Sequence, residues 1–294
     1  MRSSTIGRQR TGHAGFNLVQ LMVVIGLILV VVAFLIPTVH NTRGENSGRV
    51  KCAANLKQIG NGLILYSNEN KGLFPRTHAV DGAPVQISND GFADVDPFKI
   101  EPAGRKINNV PQAMFLLIRQ EDLTPYVFNC PSGTANADDM AGLPATSRSN
   151  FTGTGVDGGD VTNHVSYSFV NVYPTRPAID RGYKTFITAF SSDFATAADI
   201  SPMAINNPTW KDIKLGAVRA TIMKGNTPNH DNDGQNVLYA DGHVEFQQTP
   251  LCGANNDNIY TAAFSAASTD GASAADNDPD PRAATDSVLL IHAP

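Results

Sequence analysis

An uninterrupted apolar run near the N-terminus constrains this sequence more than any other feature. Residues 16–36 read FNLVQLMVVIGLILVVVAFLI and contain no charged side chain. As a helix that rises about 1.5 Å per residue, the run would be about 31 Å long, which matches a bilayer hydrocarbon core of about 30 Å. The run therefore predicts a membrane-spanning helix in contact with membrane lipid.

The residues beside the run indicate its orientation. The segment before it has three basic side chains and no acidic one, namely Arg2, Arg8 and Arg10. Because basic residues favour the cytoplasmic side, we expect a cytoplasmic N-terminus and an exported C-terminal part. A cleaved secretory signal is disfavoured, since its apolar region usually has about 7–15 residues and ends at a small-x-small site. A plain membrane anchor remains an open alternative.

The overall charge argues against nucleic acid as a partner. The 294 residues have a formal net charge of −5, and no cluster of Lys or Arg follows the first fifteen residues. Proteins that bind nucleic acid need a basic face. We therefore expect no nucleic-acid partner.

The three cysteines, Cys52, Cys130 and Cys252, are scattered and form no CxxC pair. This pattern supports neither a zinc knuckle, nor a thioredoxin-type site, nor a disulfide scaffold. We interpret the cysteines as small buried apolar residues. An oxidising compartment would permit one bridge, and the pairing stays open.

A second helix is predicted after the apolar run. Apolar residues recur at steps of three or four, at positions 52, 56, 59, 63 and 66, which places them on one helical face. Gly72 and Pro75 then predict the end of the helix. We expect this face to pack against the helix's own domain. A shorter helix is expected at 113–118.

Several later segments have the composition of strands. Residues 123–130, 165–173 and 185–190 are β-like, and 286–292 could form an edge strand. The strongest signal is an Asp241-Gly242 pair between two alternating segments at 236–246, which predicts a β-hairpin with a type I′ turn. Residues 132–162 predict a long loop, and residues 263–294 an acidic low-complexity segment.

The N-terminal region resembles a known family. The stretch from Gly15 to Gly26 is similar to the class III signal of type IV prepilins and type II secretion pseudopilins. The resemblance implies that a prepilin peptidase cuts between Gly15 and Phe16 and methylates Phe16. Pro37 falls where the family has its helix-kinking proline. The family usually has Glu at the position of Gln20, where it is thought to pair with a neighbour's N-terminal amine during assembly.

The C-terminal half shows a second resemblance, to a domain found in many large bacterial pseudopilin-like proteins. Its mark is a His that nine residues separate from an Asp-Gly pair, whereas here ten residues separate His230 from Asp241 and Gly242. The two resemblances imply an α+β, pilin-like fold. In it a long N-terminal helix, whose first half spans the membrane, packs on an antiparallel β-sheet domain with long loop insertions.

These expectations divide the chain into five parts. They are a leader at 1–15, a transmembrane and assembly helix at 16–36, the second half of the pilin helix at 37–75, an exported globular domain at 76–262 and an acidic segment at 263–294.

Acidic residues and histidines near the hairpin are candidates for a catalytic site. A metal-hydrolase or acid–base set would combine the side chains of His230, Asp231, Asp233, Asp241 and His243. However, Asp241 has a role as a turn residue, and strand alternation would direct His243 away from its neighbours. No catalytic motif is present, so we expect no enzyme activity.

A calcium site is a second interpretation of the same loop. Asp231, Asp233 and Gln235 offer side-chain oxygens at alternate positions, as calcium loops do. No Glu follows at the twelfth loop position, and Asp and Gly are also common in turns. We expect no obligatory cofactor, with calcium and a simple polar turn as the alternatives.

Two classes of function follow. The first is a structural pseudopilin or pilin-like subunit at the bacterial inner membrane, with its C-terminal domain in the periplasm or outside the cell. Its partners would be the prepilin peptidase, other pilin-like subunits and the assembly platform of a type II secretion or type IV pilus-like system. The second is a membrane-tethered binding or surface module that uses prepilin-type export without assembly.

Overall fold

The structure, a computed structural model, describes nine parts of the chain: residues 17–35, 43–80, 83–85, 87, 107–151, 161–185, 187–202, 208–262 and 281–291. The chain divides into two compact units, Met1–Gly44 and Glu45–Pro294. Each unit is described by itself.

The first unit contains helix α1, Leu18–Leu35. Within the parts of the chain that the structure describes, none of the helices combines the length and the apolar character needed to cross a bilayer. The expectation of a pilin-like helix with a membrane-spanning first half is therefore wrong.

Helix α2, Arg43–Glu69, supplies one side of the core in the second unit. Its predicted apolar face is confirmed, since the side chains of Cys52, Leu56, Ile59, Leu63 and Tyr66 are all buried. The helix ends just before the turn that contains Gly72, where the sequence predicted a stop. The helix contacts the sheet closely, because a Cβ atom at Gly60 would lie only 2.7 Å from a methyl carbon of Leu238.

The sheet has five antiparallel strands in the order β4-β3-β2-β1-β5. The strands are β1 Tyr167–Val170, β2 Ala195–Asp199, β3 Gln235–Tyr239, β4 Val244–Gln247 and β5 Leu289–Leu290. The α+β class and the antiparallel sheet agree with the sequence-based expectation. Strands β1, β2, β3 and β5 are buried, so the sheet forms the centre of this unit.

The described residues contain three further α-helices: α3 Val110–Gln120, α4 Arg176–Asp180 and α5 Arg219–Ile222. Helix α3 confirms the helix predicted at 113–118. It begins at the N-cap Asn109, whose side chain accepts a hydrogen bond from the Gln112 backbone N–H at 2.9 Å. Most of α3 is buried, which explains why its sequence is apolar on nearly every side.

The predicted hairpin is confirmed, but its turn differs from the expected one. Strands β3 and β4 pair antiparallel, with Asn236 opposite Phe246. Among the turn residues only Gly242 has a positive φ, 85°, whereas a type I′ turn needs two. The Gly242 N–H donates to the Tyr239 carbonyl and the Tyr239 N–H to the His243 carbonyl. This is the pattern of a three-residue loop with a type I turn and a glycine bulge.

Two predicted strands are wrong. Residues Pro125–Phe128 form a 3₁₀ helix, because Pro125 fixes a helical φ and has no N–H to donate to a strand neighbour. Ile187–Ala189 forms another. The aromatic side chain at the end of that segment, Phe190, stacks on Phe194 with ring centroids 3.8 Å apart. Burial in an aromatic cluster thus replaces strand pairing there.

Candidate functional site

Three of the residues that the pilin resemblance singles out lie outside the described residues. They are Gly15 and Phe16, at the expected peptidase cut, and Pro37, at the expected kink. Processing at Gly15 therefore stays a prediction.

Gln20 lies in the first turn of α1, where it caps the helix. The Asn17 side chain accepts a hydrogen bond from the Val19 N–H at 3.3 Å, and the Gln20 side chain accepts one from the Asn17 N–H at 3.4 Å. This is the reciprocal arrangement of a capping box, which satisfies N–H groups that a helix start leaves without partners. The sequence Asn-x-x-Gln before an apolar run was the signal for it.

Between Leu18 and Val32 the surface of α1 is apolar except at Gln20. Its large apolar side chains between Leu18 and Val32 are each 42–69% exposed. No charged residue interrupts the helix. A contiguous apolar surface of this kind marks an interaction site in proteins that keep their structure in water.

The structure places the three candidate calcium ligands in different environments. Asp231 and Asp233 are exposed, whereas Gln235 lies in β3 and is fully buried. The Asp233 carboxylate accepts a hydrogen bond from the Arg49 guanidinium at 2.9 Å. A calcium ion at Asp233 would therefore compete with Arg49. The calcium site stays a prediction.

At the hairpin tip, Asp241 pairs with His243 rather than with His230. The Asp241 carboxylate lies 2.5 Å from His243 Nδ1 and accepts the His243 backbone N–H at 3.0 Å. That backbone N–H lowers the pKa of Asp241 below its usual value. The expectation that His243 would turn away is wrong, because His243 lies in the turn and not in β4. Lys57 of α2 donates to the Gly242 carbonyl at 2.7 Å and holds the tip.

His230 belongs to a different group of side chains, deep inside the second unit. Its Nε2 lies 3.0 Å from the Asp199 carboxylate and 3.8 Å from Cys130 Sγ. Cys130 in turn forms a disulfide with Cys52. Ligand atoms of these four residues all lie within 4.8 Å of one another. We call this set, Cys52, Cys130, Asp199 and His230, the Cys-His-Asp cluster.

Four separate elements position the cluster. Cys52 is on the buried face of α2, and Cys130 follows the 3₁₀ helix Pro125–Phe128. Asp199 ends β2, and His230 ends the 3₁₀ helix Pro228–His230, which the Thr227 side chain caps. All four residues are at most 1% exposed. The cluster therefore joins the helix to the sheet beneath it.

Asn236 orients the carboxylate of the cluster. Its backbone N–H and its side-chain amide both donate to Asp199 Oδ2, at 2.7 and 3.0 Å. The other carboxylate oxygen, Oδ1, has no hydrogen-bond partner among the described residues, and neither has His230 Nδ1. Buried polar atoms usually have partners, so these two atoms indicate that a water or an ion belongs nearby.

The disulfide corrects one expectation from the sequence. Cys52 and Cys130 are not merely small apolar residues, because they form a covalent link across the core. Cys252 is the free cysteine of the described residues, and it is only partly buried. The sequence could not choose this pairing, because the partners are 78 residues apart and only the tertiary packing of α2 brings them together.

Comparison with known proteins identifies no relative: no protein-family model, no curated protein and no solved structure matches this chain. The resemblance to pilins consequently rests on the residues that carry it, and it stays a prediction.

Proposed function

We propose that this chain is a structural subunit of a pilin-like assembly, processed by a prepilin peptidase and packed against neighbouring subunits through α1. The exposed apolar surface of α1 supports the proposal most directly. Leaving such a surface in water costs about 25 cal/mol for each Å². A bundle of like helices would cover it without needing any polar partner.

The second unit supports a structural role for the rest of the chain. A buried helix face on an antiparallel sheet gives a rigid body that could be repeated along a filament. The disulfide between Cys52 and Cys130 adds a covalent link between that helix and the segment beside the sheet. Partners of the assembly would be other pilin-like subunits and an assembly platform.

Crosslinking between subunits tests the proposal. In a Cys252→Ser background, Ile28→Cys places a thiol on α1, and Val218→Cys places one at a similarly exposed position in the second unit. In cells with an active prepilin peptidase, we expect oxidation to link subunits through position 28 and not through 218. N-terminal mass spectrometry, with a methylated Phe16 expected, checks that the chain was processed.

The Gln20→Glu substitution sharpens the test. A carboxylate at position 20 can still accept the Asn17 N–H, and it can also form an ion pair with a neighbour's amine in an apolar setting. We expect stronger crosslinking through position 28 at an unchanged cellular level of the protein. Gln58→Glu adds the same charge on the exposed side of α2 and is the matched control.

Two results would contradict the proposal. The first is that the Ile28→Cys chain does not crosslink, with or without Gln20→Glu, although the protein is abundant. That result would exclude assembly and favour a non-assembling binding or surface module. If Val218→Cys crosslinks as readily as Ile28→Cys, α1 is not the specific contact.

A further inference from the structure

The Cys-His-Asp cluster contains the donor atoms of a closed zinc site, but its two sulfur atoms are bonded to each other. Structural Zn²⁺ sites are tetrahedral and take thiolate, imidazole and carboxylate ligands. The cluster offers two sulfurs, one imidazole nitrogen and one carboxylate, and all four residues are buried. Its members come from four elements of the second unit, so one ion bound there would join them all.

Two distances within the cluster are close to those that such an ion needs. Bonds of about 2.3 Å to sulfur and about 2.0 Å to nitrogen or oxygen separate tetrahedral ligand atoms by about 3.3–3.8 Å. His230 Nε2 is 3.8 Å from Cys130 Sγ and 3.0 Å from Asp199 Oδ2. The bonded sulfurs of Cys52 and Cys130 must separate before an ion can bind.

The environment of Asp199 is that of an oriented metal ligand. Metal-binding carboxylates are usually held by hydrogen bonds from a second layer of residues. Asn236 donates two hydrogen bonds to Asp199 Oδ2, while Oδ1 is buried and lacks a partner among the described residues. The carboxylate is thus fixed on one side and open on the other.

We propose that the reduced chain binds one Zn²⁺ through Cys52, Cys130, Asp199 and His230, and that zinc and the disulfide are alternative occupants of the same place. Opening the disulfide takes two electrons from a thiol or phosphine reductant and gives two thiols. The two protons come from the thiol reductant or, with a phosphine, from the water whose oxygen ends on phosphorus. Zinc binding then displaces the two thiol protons. Re-forming the disulfide with a disulfide oxidant removes the two electrons again and releases the metal. This inference is independent of the proposed role in assembly.

Spectroscopy with Co²⁺, used in place of Zn²⁺, tests the site directly. The full chain is reduced by a water-soluble phosphine, which takes up a water oxygen as the disulfide becomes two thiols, and Co²⁺ is added without oxygen. We expect one Co²⁺ per chain, with the visible bands of tetrahedral cobalt and a thiolate-to-cobalt charge-transfer band. The oxidised chain is expected to show neither band.

Variants assign the ligands. Cys130→Ser and His230→Asn should each remove the tetrahedral spectrum, and Asn236→Ala should weaken the affinity about 10–100-fold. The matched controls are Cys252→Ser and His243→Asn, which change the same residue types outside the cluster and should leave binding unchanged.

A second measurement does not depend on the stability of any variant. In the wild-type chain, bound Zn²⁺ should slow re-formation of the disulfide by oxidised glutathione, and a chelator should restore the rate. The inference is overturned if oxidised and reduced chains bind Co²⁺ alike, if the spectrum is octahedral, if Cys252→Ser abolishes it, or if Zn²⁺ leaves the oxidation rate unchanged.

Discussion

Asp257 and Asp286 place two carboxyl groups together in the interior of the second unit. Asp257 accepts the Ser287 N–H at 3.2 Å and Asp286 accepts the Arg282 N–H at 2.6 Å. Burial, followed by repulsion from Asp286, raises the pKa of Asp257 well above its usual value. The pair links the segment that follows β4 to the segment that precedes β5.

This pair predicts a pH dependence of stability at the scale of a single residue. Because the folded pKa of Asp257 is raised, the folded chain holds a proton that the unfolded chain loses from about pH 4 upward. The stability that Asp257 gives is therefore complete below that pH and is lost as the pH rises toward the folded pKa, by at most about 1.4 kcal/mol per pH unit.

Replacing Asp257 by Asn should remove this dependence. The Asn side-chain oxygen can still accept the Ser287 N–H, and no charge has to be buried. We expect Asp257→Asn to be more stable than the parent at pH 7 and to have a flatter stability profile between pH 4 and 7 in urea unfolding. Asp180→Asn, on the exposed face of α4, is the control. A variant that is less stable than the parent at pH 7 would disprove the argument.

At the scale of elements, the turn at the tip of the β3–β4 hairpin decides how that hairpin meets α2. Gly242 has a φ of 85°, and a Cβ atom there would lie 3.2 Å from a methyl carbon of Ile64. Gly216 has nearly the same φ, 82°, but open space around it. A comparison of the two glycines therefore distinguishes the cost of backbone strain from the cost of contact with α2.

Alanine substitutions at the two glycines form a matched pair. Gly216→Ala should cost about 1–2 kcal/mol, the price of a left-handed conformation for a residue with a Cβ. Gly242→Ala should cost more, because Ile64 must also move. Equilibrium unfolding in urea measures both. Equal losses would mean that Ile64 adapts freely and that the hairpin tip is not held closely against α2.

The elements also divide into those that the sequence predicts and those that it does not. Helix α2, helix α3 and the β3–β4 hairpin follow from local periodicity and turn residues, which act over a few positions. Strand β2 was not predicted, because its sequence, Ala195-Thr-Ala-Ala-Asp199, is poor in the large β-branched and aromatic residues typical of strands. Its neighbours β1 and β3 make it a strand, through antiparallel pairing on both sides.

Local sequence patterns are even less able to predict the Cys-His-Asp cluster. The sequence drew attention to His230, but as part of a motif with Asp241 and Gly242. In the structure His230 pairs instead with Asp199 and contacts Cys130, residues that no short pattern connects to it. The packing of α2 on the sheet creates the cluster, so it appears only once the fold is known.

At the scale of the whole molecule, the Cys52–Cys130 disulfide restricts the unfolded chain. It joins residues 78 positions apart, and closing a long loop lowers the entropy of the unfolded state. Replacing both cysteines by Ala should lower the free energy of unfolding by about 2–4 kcal/mol, measured in urea with a chelator present. Cys252→Ser should change it far less. A loss of similar size for Cys252→Ser would show that cysteine packing, and not the covalent link, is responsible.

The position of β5 at the edge of the sheet affects how the chain folds during synthesis. The register pairs Phe169 of β1 with Leu290 of β5, about 120 residues later in the chain. At about 5–20 residues per second, a ribosome needs roughly 6–24 s to make that intervening length. During this time the edge of β1 opposite β2 lacks its partner β5, and exposed strand edges are sites of aggregation. A nascent chain would therefore depend on chaperone binding or slow folding of the sheet until β5 emerges.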